Sequence, residues 1–344
     1  MQNIIHLSGN IQHLYRVASR PLGTILKSME KFKPSPFKPA GWLPNGHFQS
    51  VFAALLMSVK LPNYRREILN LPDGDIIAAD WVDAEPEAPL VVLVHGMEGS
   101  SHSRYARLIM NECSKHGWRG VVLHMRSCGG FMNKKKQFYH GGFYQDIEYF
   151  IDNRLPDLGM NQPVYLVGVS LGGSQIAHYL AKGNARERVR ASVIISAPLD
   201  LAASADFMSI DFSRQYVAKF RNSLLKKYYL KSHLIGDDTM ADKLVKAKTF
   251  WDLDNAATAP IHGFRDAAHY YAEMSSKNCL KDIPVPTLYL ASRDDPFVPE
   301  ASMPHQSVGN VTTFLTDQGG HVGFADQYGR SWMAPTVFKY LSQF

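Results

Sequence analysis

Six apolar, β-branched runs punctuate the chain: Leu90–His95, Gly120–His124, Val164–Val169, Ala191–Ser196, Thr287–Ala291 and Thr312–Leu315. Each is of strand length and lacks polar alternation, the pattern of strands covered on both faces. Ahead of them, Arg66–Leu71 and Ile76–Val82 flank the turn Pro72-Asp73-Gly74-Asp75 and read as a hairpin. Helical periodicity occupies the intervals at Arg104–His116, Tyr144–Arg154 and Gly173–Lys182. Strand–helix–strand alternation after an opening hairpin predicts an α/β fold with a doubly wound, mostly parallel sheet.

Two regions break this rhythm. From Asp200 to Ile283 no strand pattern occurs; helical segments such as Phe212–Tyr229 and Met240–Thr249 fill the interval. A helical insertion at about residues 200–283, between two sheet strands, is expected to form a cap over the carboxyl edge of the sheet, where open α/β sheets bind ligands. Residues 1–40 read as an N-terminal extension preceding a domain over 41–344. Ile11–Phe32 has loose helical periodicity, and Lys33-Pro34-Ser35-Pro36-Phe37-Lys38-Pro39 reads as an extended linker.

Composition adds limits. The chain has 344 residues, of which 45% are hydrophobic, enough for a large core. The net charge of +6 is mild for this length, and no nucleic-acid partner is expected. Lys134-Lys135-Lys136 and Lys226-Lys227 are read as solvated faces, with weak peripheral contact to an anionic membrane as the alternative. Cys113, Cys128 and Cys279 form no CxxC pair and suit a reducing compartment without disulfides. No Cys/His set has zinc-ligand spacing, so neither metal nor cofactor is expected. The first twenty residues lack a secretory apolar stretch and no run is long enough to span a bilayer, so a soluble cytoplasmic protein is expected.

The chemistry concentrates at Gly168-Val169-Ser170-Leu171-Gly172-Gly173, where a buried strand runs into G-x-S-x-G and a helix starts at once. Such a turn must be tight for the serine hydroxyl to project, and small residues two positions either side avoid clashes. The helix N-terminus then aims free amides at a developing oxyanion. A serine nucleophile needs a base, and the base needs an orienting acid. His321, on a loop behind Gly319-Gly320 after the last strand, is the candidate base. Asp294 and Asp295 both follow the strand before it; Asp295 is preferred as the acid, with Asp294 capping loop amides. The oxyanion donors are expected to be the amides of Leu171 and of Met97, in His95-Gly96-Met97-Glu98-Gly99-Ser100. His95 is read as shaping that loop, Arg126 as an anchor beside the site, and His140 with Asp146 as fixing a loop-to-helix junction. Cys128 is not read as a nucleophile.

These motifs together resemble the YheT-like branch of the α/β-hydrolases, related to eukaryotic lipases and esterases, over about residues 40–340. The resemblance is carried by Asn45-Gly46-His47-Phe48-Gln49-Ser50, by the loops at His95–Ser100 and Met125–Gly130, and by Thr258–Phe264 with Tyr270-Tyr271. It implies hydrolysis of carboxylic esters, short- or medium-chain in bacterial members and lipid in eukaryotic ones. It also implies a small-molecule ester or lipid substrate and carries over the triad and oxyanion loop at the positions above. An acyltransferase or thioesterase on the same triad, and a non-catalytic binding member of the fold, are the alternatives.

Overall fold

The computed structural model describes residues 32–184, 186–210 and 213–344. Among them, eight strands form one sheet: β1 (Arg65–Asn70), β2 (Ile76–Val82), β3 (Leu90–Val94), β4 (Arg119–Leu123), β5 (Val164–Val169), β6 (Val189–Ile195), β7 (Thr287–Ser292) and β8 (Val311–Thr316). Their spatial order is β1-β2-β4-β3-β5-β6-β7-β8. β1 and β2 pair antiparallel, as does β2 with β4, and every pairing from β4 to β8 is parallel.

The central strands are apolar throughout because both faces are covered; every residue of β3 and β5 is buried. The edge is treated differently. β1 presents exposed Arg65 and Arg66, charges that discourage further strand addition. Helix α1 (Gly46–Val51) runs into a π-helical turn at Phe52–Leu56, and α2 (Arg104–His116) connects β3 to β4. Gly117, with φ +67°, ends α2 in the left-handed conformation typical of a helix C-terminus. The expected helix at Tyr144–Arg154 is α3 (Gln145–Tyr149) continued by a π-helical turn at Phe150–Arg154. α4 (Leu171–Lys182) follows β5, and residues Leu171 to Leu180 are all buried. It begins two residues before the expected Gly173.

Between β6 and β7 the described chain is helical, with α5 (Leu201–Phe207), α6 (Arg214–Ile235), α7 (Met240–Lys246) and α8 (Ala267–Met274) as the longer pieces. α7 stops short of the expected Thr249 because Thr249 and Asp252 form a capping box that starts a new helix at Phe250. A second apolar core, including Val217, Leu244, Leu253 and Tyr270, packs these pieces together with Phe138 and Leu171. α9 (Met333–Leu341) closes the chain against α2.

The helical reading of Ile11–Phe32 lies outside the described residues apart from Phe32, which is in no helix. Pro34–Lys38 has no regular structure but is tied down: the Trp332 indole donates to Ser35 O at 2.8 Å, and Ala40 N donates to Ala325 O at 3.0 Å. Lys134–Lys136 are exposed, as expected, whereas Lys227 is not. It is buried from α6 because its ammonium meets the Glu98 carboxylate at 2.5 Å, a partner no local pattern reveals.

One topological fact places the site. β3 pairs on one side with β4 and on the other with β5, so the sheet order reverses at β3. Loops leaving the carboxyl ends of β3 and β5 diverge there and open a crevice. Those loops begin at His95 and Ser170.

Candidate active site

Ser170 is the single residue between β5 and α4, with φ 54° and ψ −124°. That left-handed backbone disfavours a side chain by about 1–3 kcal/mol and persists only when its surroundings enforce it. Enforcement comes from Ser170 N donating to Ile195 O at 2.8 Å and from close packing of α4 on the sheet. A Cβ on Gly172 would stand 2.4 Å from the carbonyl oxygens of both Val94 and His95, and one on Gly168 would stand 2.6 Å from Gly173 Cα. These glycines let the helix start directly on the end of β3.

The structure brings His321 to this turn. Its Nε2 lies 2.9 Å from Ser170 Oγ, and its Nδ1 lies 2.9 Å and 3.1 Å from Asp295 Oδ2 and Oδ1. Asp295 is buried, and its Oδ1 also accepts from the amides of Phe297 at 2.8 Å and Val298 at 3.2 Å. Oδ2 is left to the imidazole. The Phe297 ring stacks on His321 at 4.3 Å between centroids. Asp294 points elsewhere: its Oδ1 accepts from Gly320 N at 2.8 Å and from the Ser292 hydroxyl. With Nδ1 donating to Asp295, Nε2 is free to take the Ser170 proton.

Behind the histidine lies a latch with no local signature in the sequence. Ser50 Oγ accepts from His321 N at 2.7 Å and donates to Gly46 O at 2.6 Å. The Gln49 amide exchanges two bonds with the Ala325 backbone. Gly320, at φ +62°, leaves room for Gly46 O, which a Cβ there would meet at 2.3 Å. The string Asn45-Gly46-His47-Phe48-Gln49-Ser50 was visible, but nothing local named its partner 271 residues away.

The loop after β3 supplies amides. Gly96 N donates to the Tyr105 hydroxyl, Glu98 N to the Tyr139 hydroxyl and Gly99 N to Gly96 O, each at 2.9 Å. Among the described residues, the amides of Met97 and Leu171 donate to no protein acceptor, and both residues line the cavity holding Ser170. Gly96 brings the loop close, since a Cβ there would lie 3.0 Å from Ser170 Cβ. His95 meets Gly96 O at 2.7 Å through Nδ1 and accepts from Met125 N at 3.1 Å through Nε2. Burial pushes its pKa down to about 3, so the ring is a neutral brace for the loop.

Arg126 anchors the neighbouring loop through Asp73, Asp75 and Asp146. His140 caps its own turn by accepting from Gly142 N at 3.2 Å, and its carbonyl accepts from the Gln175 amide at 2.9 Å. Burial pushes the Cys128 thiol up to about 12, which removes the thiolate a nucleophile needs.

Above these groups lies a cavity of about 530 Å³. Its walls are largely apolar, with Phe138, Leu201, Met208, Phe220, Leu253 and Leu55 among the residues that line it. Asp254 is a polar exception, its carboxylate accepting from the hydroxyls of Thr258 and Tyr271. No group of three His, Cys, Asp or Glu side chains suited to a metal occurs among the described residues, and no described helix is long and apolar enough to cross a membrane.

Residues 89–328 match the family described as alpha/beta hydrolase fold. The chain is 35% identical over 297 residues to the Escherichia coli protein named "Putative esterase YheT", covering 84% of this chain and 86% of that one. It is 30% identical over 276 residues to the monoacylglycerol lipase of Saccharomyces cerevisiae, covering 76% of this chain and 61% of that one. Among solved structures it is similar to the Pyrococcus furiosus esterase Pf2001, with a TM-score of 0.55 over 91% of this chain and 97% of that one. At 14% identity that likeness is one of fold.

Proposed function

The chain belongs to the α/β-hydrolase fold family, and from that premise we propose that it is a serine hydrolase of carboxylic esters acting through Ser170, His321 and Asp295. Ser170 Oγ attacks the ester carbonyl carbon while His321 Nε2 takes its proton, and the buried Asp295 carboxylate stabilises the imidazolium that forms. The negative charge on the former carbonyl oxygen is received by the amides of Leu171 and Met97. Collapse breaks the ester C–O bond. His321 passes its proton to the leaving alcohol, and the acyl group stays on Ser170. Water, deprotonated by the same imidazole, then attacks the acyl-enzyme; the acyl C–Oγ bond breaks, His321 returns that proton to Ser170 Oγ, and the carboxylic acid leaves.

The observation that carries this reading is the 2.9 Å contact between Ser170 Oγ and His321 Nε2, with Asp295 behind the ring. The similarity to a protein named as an esterase and to one named as a monoacylglycerol lipase supports the ester as substrate class. Short- to medium-chain acyl esters suit the apolar cavity, whose depth the helices between β6 and β7 set as a cap. The test is labelling by a fluorophosphonate probe together with hydrolysis of p-nitrophenyl esters of graded chain length. Wild-type protein should label and turn over, with both lost in Ser170→Ala. Undiminished hydrolysis by Ser170→Ala would reject the assignment.

A further inference from the structure

Glu98 has no part in the chemistry above, yet it is built with unusual care. It follows Met97 directly and holds φ at +57°, where a glycine would sit with less strain. Its carboxylate takes three side-chain donors: the hydroxyls of Tyr139 and Ser223 and the ammonium of Lys227. The Tyr139 hydroxyl closes a ring by also accepting from Glu98's own amide at 2.9 Å. Ser223 and Lys227 stand one turn apart on the same face of α6. Lys227 is buried and Glu98 partly so, which shields much of this ion pair from water. Burial works to raise the Glu98 pKa, but the nearby ammonium and the hydrogen bonds outweigh it and hold the group ionised below the usual range.

We propose that Glu98 is a positioning residue that fixes the orientation of the Met97 amide, and that α6, through Ser223 and Lys227, assembles the oxyanion hole when it is seated. The inference rests on the triad reading given above. The Met97 N–H direction is set by the backbone angles of residues 96–98. The flanking amides are pinned on Tyr105 and Tyr139. What holds residue 98 in its left-handed conformation is the side-chain anchor, and two of the three anchoring groups belong to α6. Loosening that helix therefore loosens an amide that should not move during the reaction.

The test uses the full chain with Glu98→Gln, Lys227→Met and the double variant, measuring kcat, KM and inhibition by an alkyl trifluoromethyl ketone, whose serine adduct places an oxyanion in the hole. Glu98→Gln should lower kcat about 10- to 100-fold, short of the ~10²–10³ for complete loss of an oxyanion donor, and weaken ketone inhibition in parallel while KM stays within about threefold. Lys227→Met alone should lower kcat more than the double variant, because it strands a partly buried carboxylate that the double variant neutralises. Rates are normalised to active sites titrated by the acyl-enzyme burst, so a loss of folded protein is not counted. If Lys227→Met fails to fold, Glu98→Gln and the double variant decide the matter. A kcat and ketone affinity within about twofold of wild type in Glu98→Gln, or a fall in kcat without a parallel loss of ketone affinity, would overturn the proposal. Ser170→Ala separates the two claims, because residual turnover there would sink the triad and leave the Glu98 comparison without its premise.

Discussion

Replacing Asp295 with asparagine tests the proposed triad at its least redundant atom. The side chain at 295 serves two masters: Oδ1 accepts from the amides of Phe297 and Val298, while Oδ2 faces His321 Nδ1 at 2.9 Å. An asparagine must keep its carbonyl oxygen toward the two backbone donors, since turning its NH₂ there would oppose donor to donor. The NH₂ then points at Nδ1, which can only accept, and the ring proton is forced onto Nε2. From that position the imidazole donates toward Ser170 Oγ and cannot take its proton. An imidazole trapped in the wrong tautomer lowers kcat by about 10⁴, or roughly 5.4 kcal/mol at 1.36 kcal/mol per decade. Stability should change far less, by about 0.5–1.5 kcal/mol, because both backbone bonds survive. The assay is p-nitrophenyl butyrate hydrolysis at saturation, with urea unfolding on the same preparation. Asp294→Asn is the control: it can still offer an oxygen to Gly320 N, and at about 1 kcal/mol for that bond kcat should stay within about tenfold. The reasoning fails if Asp295→Asn keeps more than about a tenth of wild-type kcat, or if Asp294→Asn does the greater damage.

Ser50→Ala strips His321 N of its acceptor and Gly46 O of its second donor at a buried position, so the protein should lose about 1–3 kcal/mol in urea unfolding, with a lower kcat as the histidine loop loosens. Burial lifts the Asp254 carboxyl from its ordinary 3.8 to about 6, so the folded state holds the proton more tightly than the unfolded one. That contribution to stability is complete below about pH 3.8 and is lost as pH rises through about 6. Asp254→Asn should therefore flatten the decline in stability between pH 4 and 7, which thermal melts across that range will read.

What could be read ahead of the structure was whatever chain-local physics controls. Buried parallel strands are continuous apolar runs because both faces are covered, and Leu90–Val94 and Val164–Val169 announce themselves that way. Arg104–His116 was legible to both ends. The tight turn at Ser170 was legible because Gly168, Gly172 and Gly173 are the imprint of α4 lying on β3 and β6. Long-range pairing was not. Lys227 and its neighbour Lys226 look alike in the sequence, yet one faces water and the other neutralises Glu98 from 129 residues away. Ser50 is an ordinary serine until the loop bearing His321 arrives beside it. The start of the next helix does have a local sign, the Thr249/Asp252 capping box, which the helical reading of Met240–Thr249 does not use.

The latch between Ser50 and His321 also ties activity to the schedule of synthesis. The ribosome delivers the clasp early and the proposed base late, and the proposed nucleophile emerges between them. A nascent chain can finish its central strands and still be inert, because no local segment carries a working imidazole. Contacts of such separation form late and slowly. On the proposed triad, turnover would report completion of the whole fold, and a proteolytic nick that frees either half of the clasp should silence it while leaving the sheet intact.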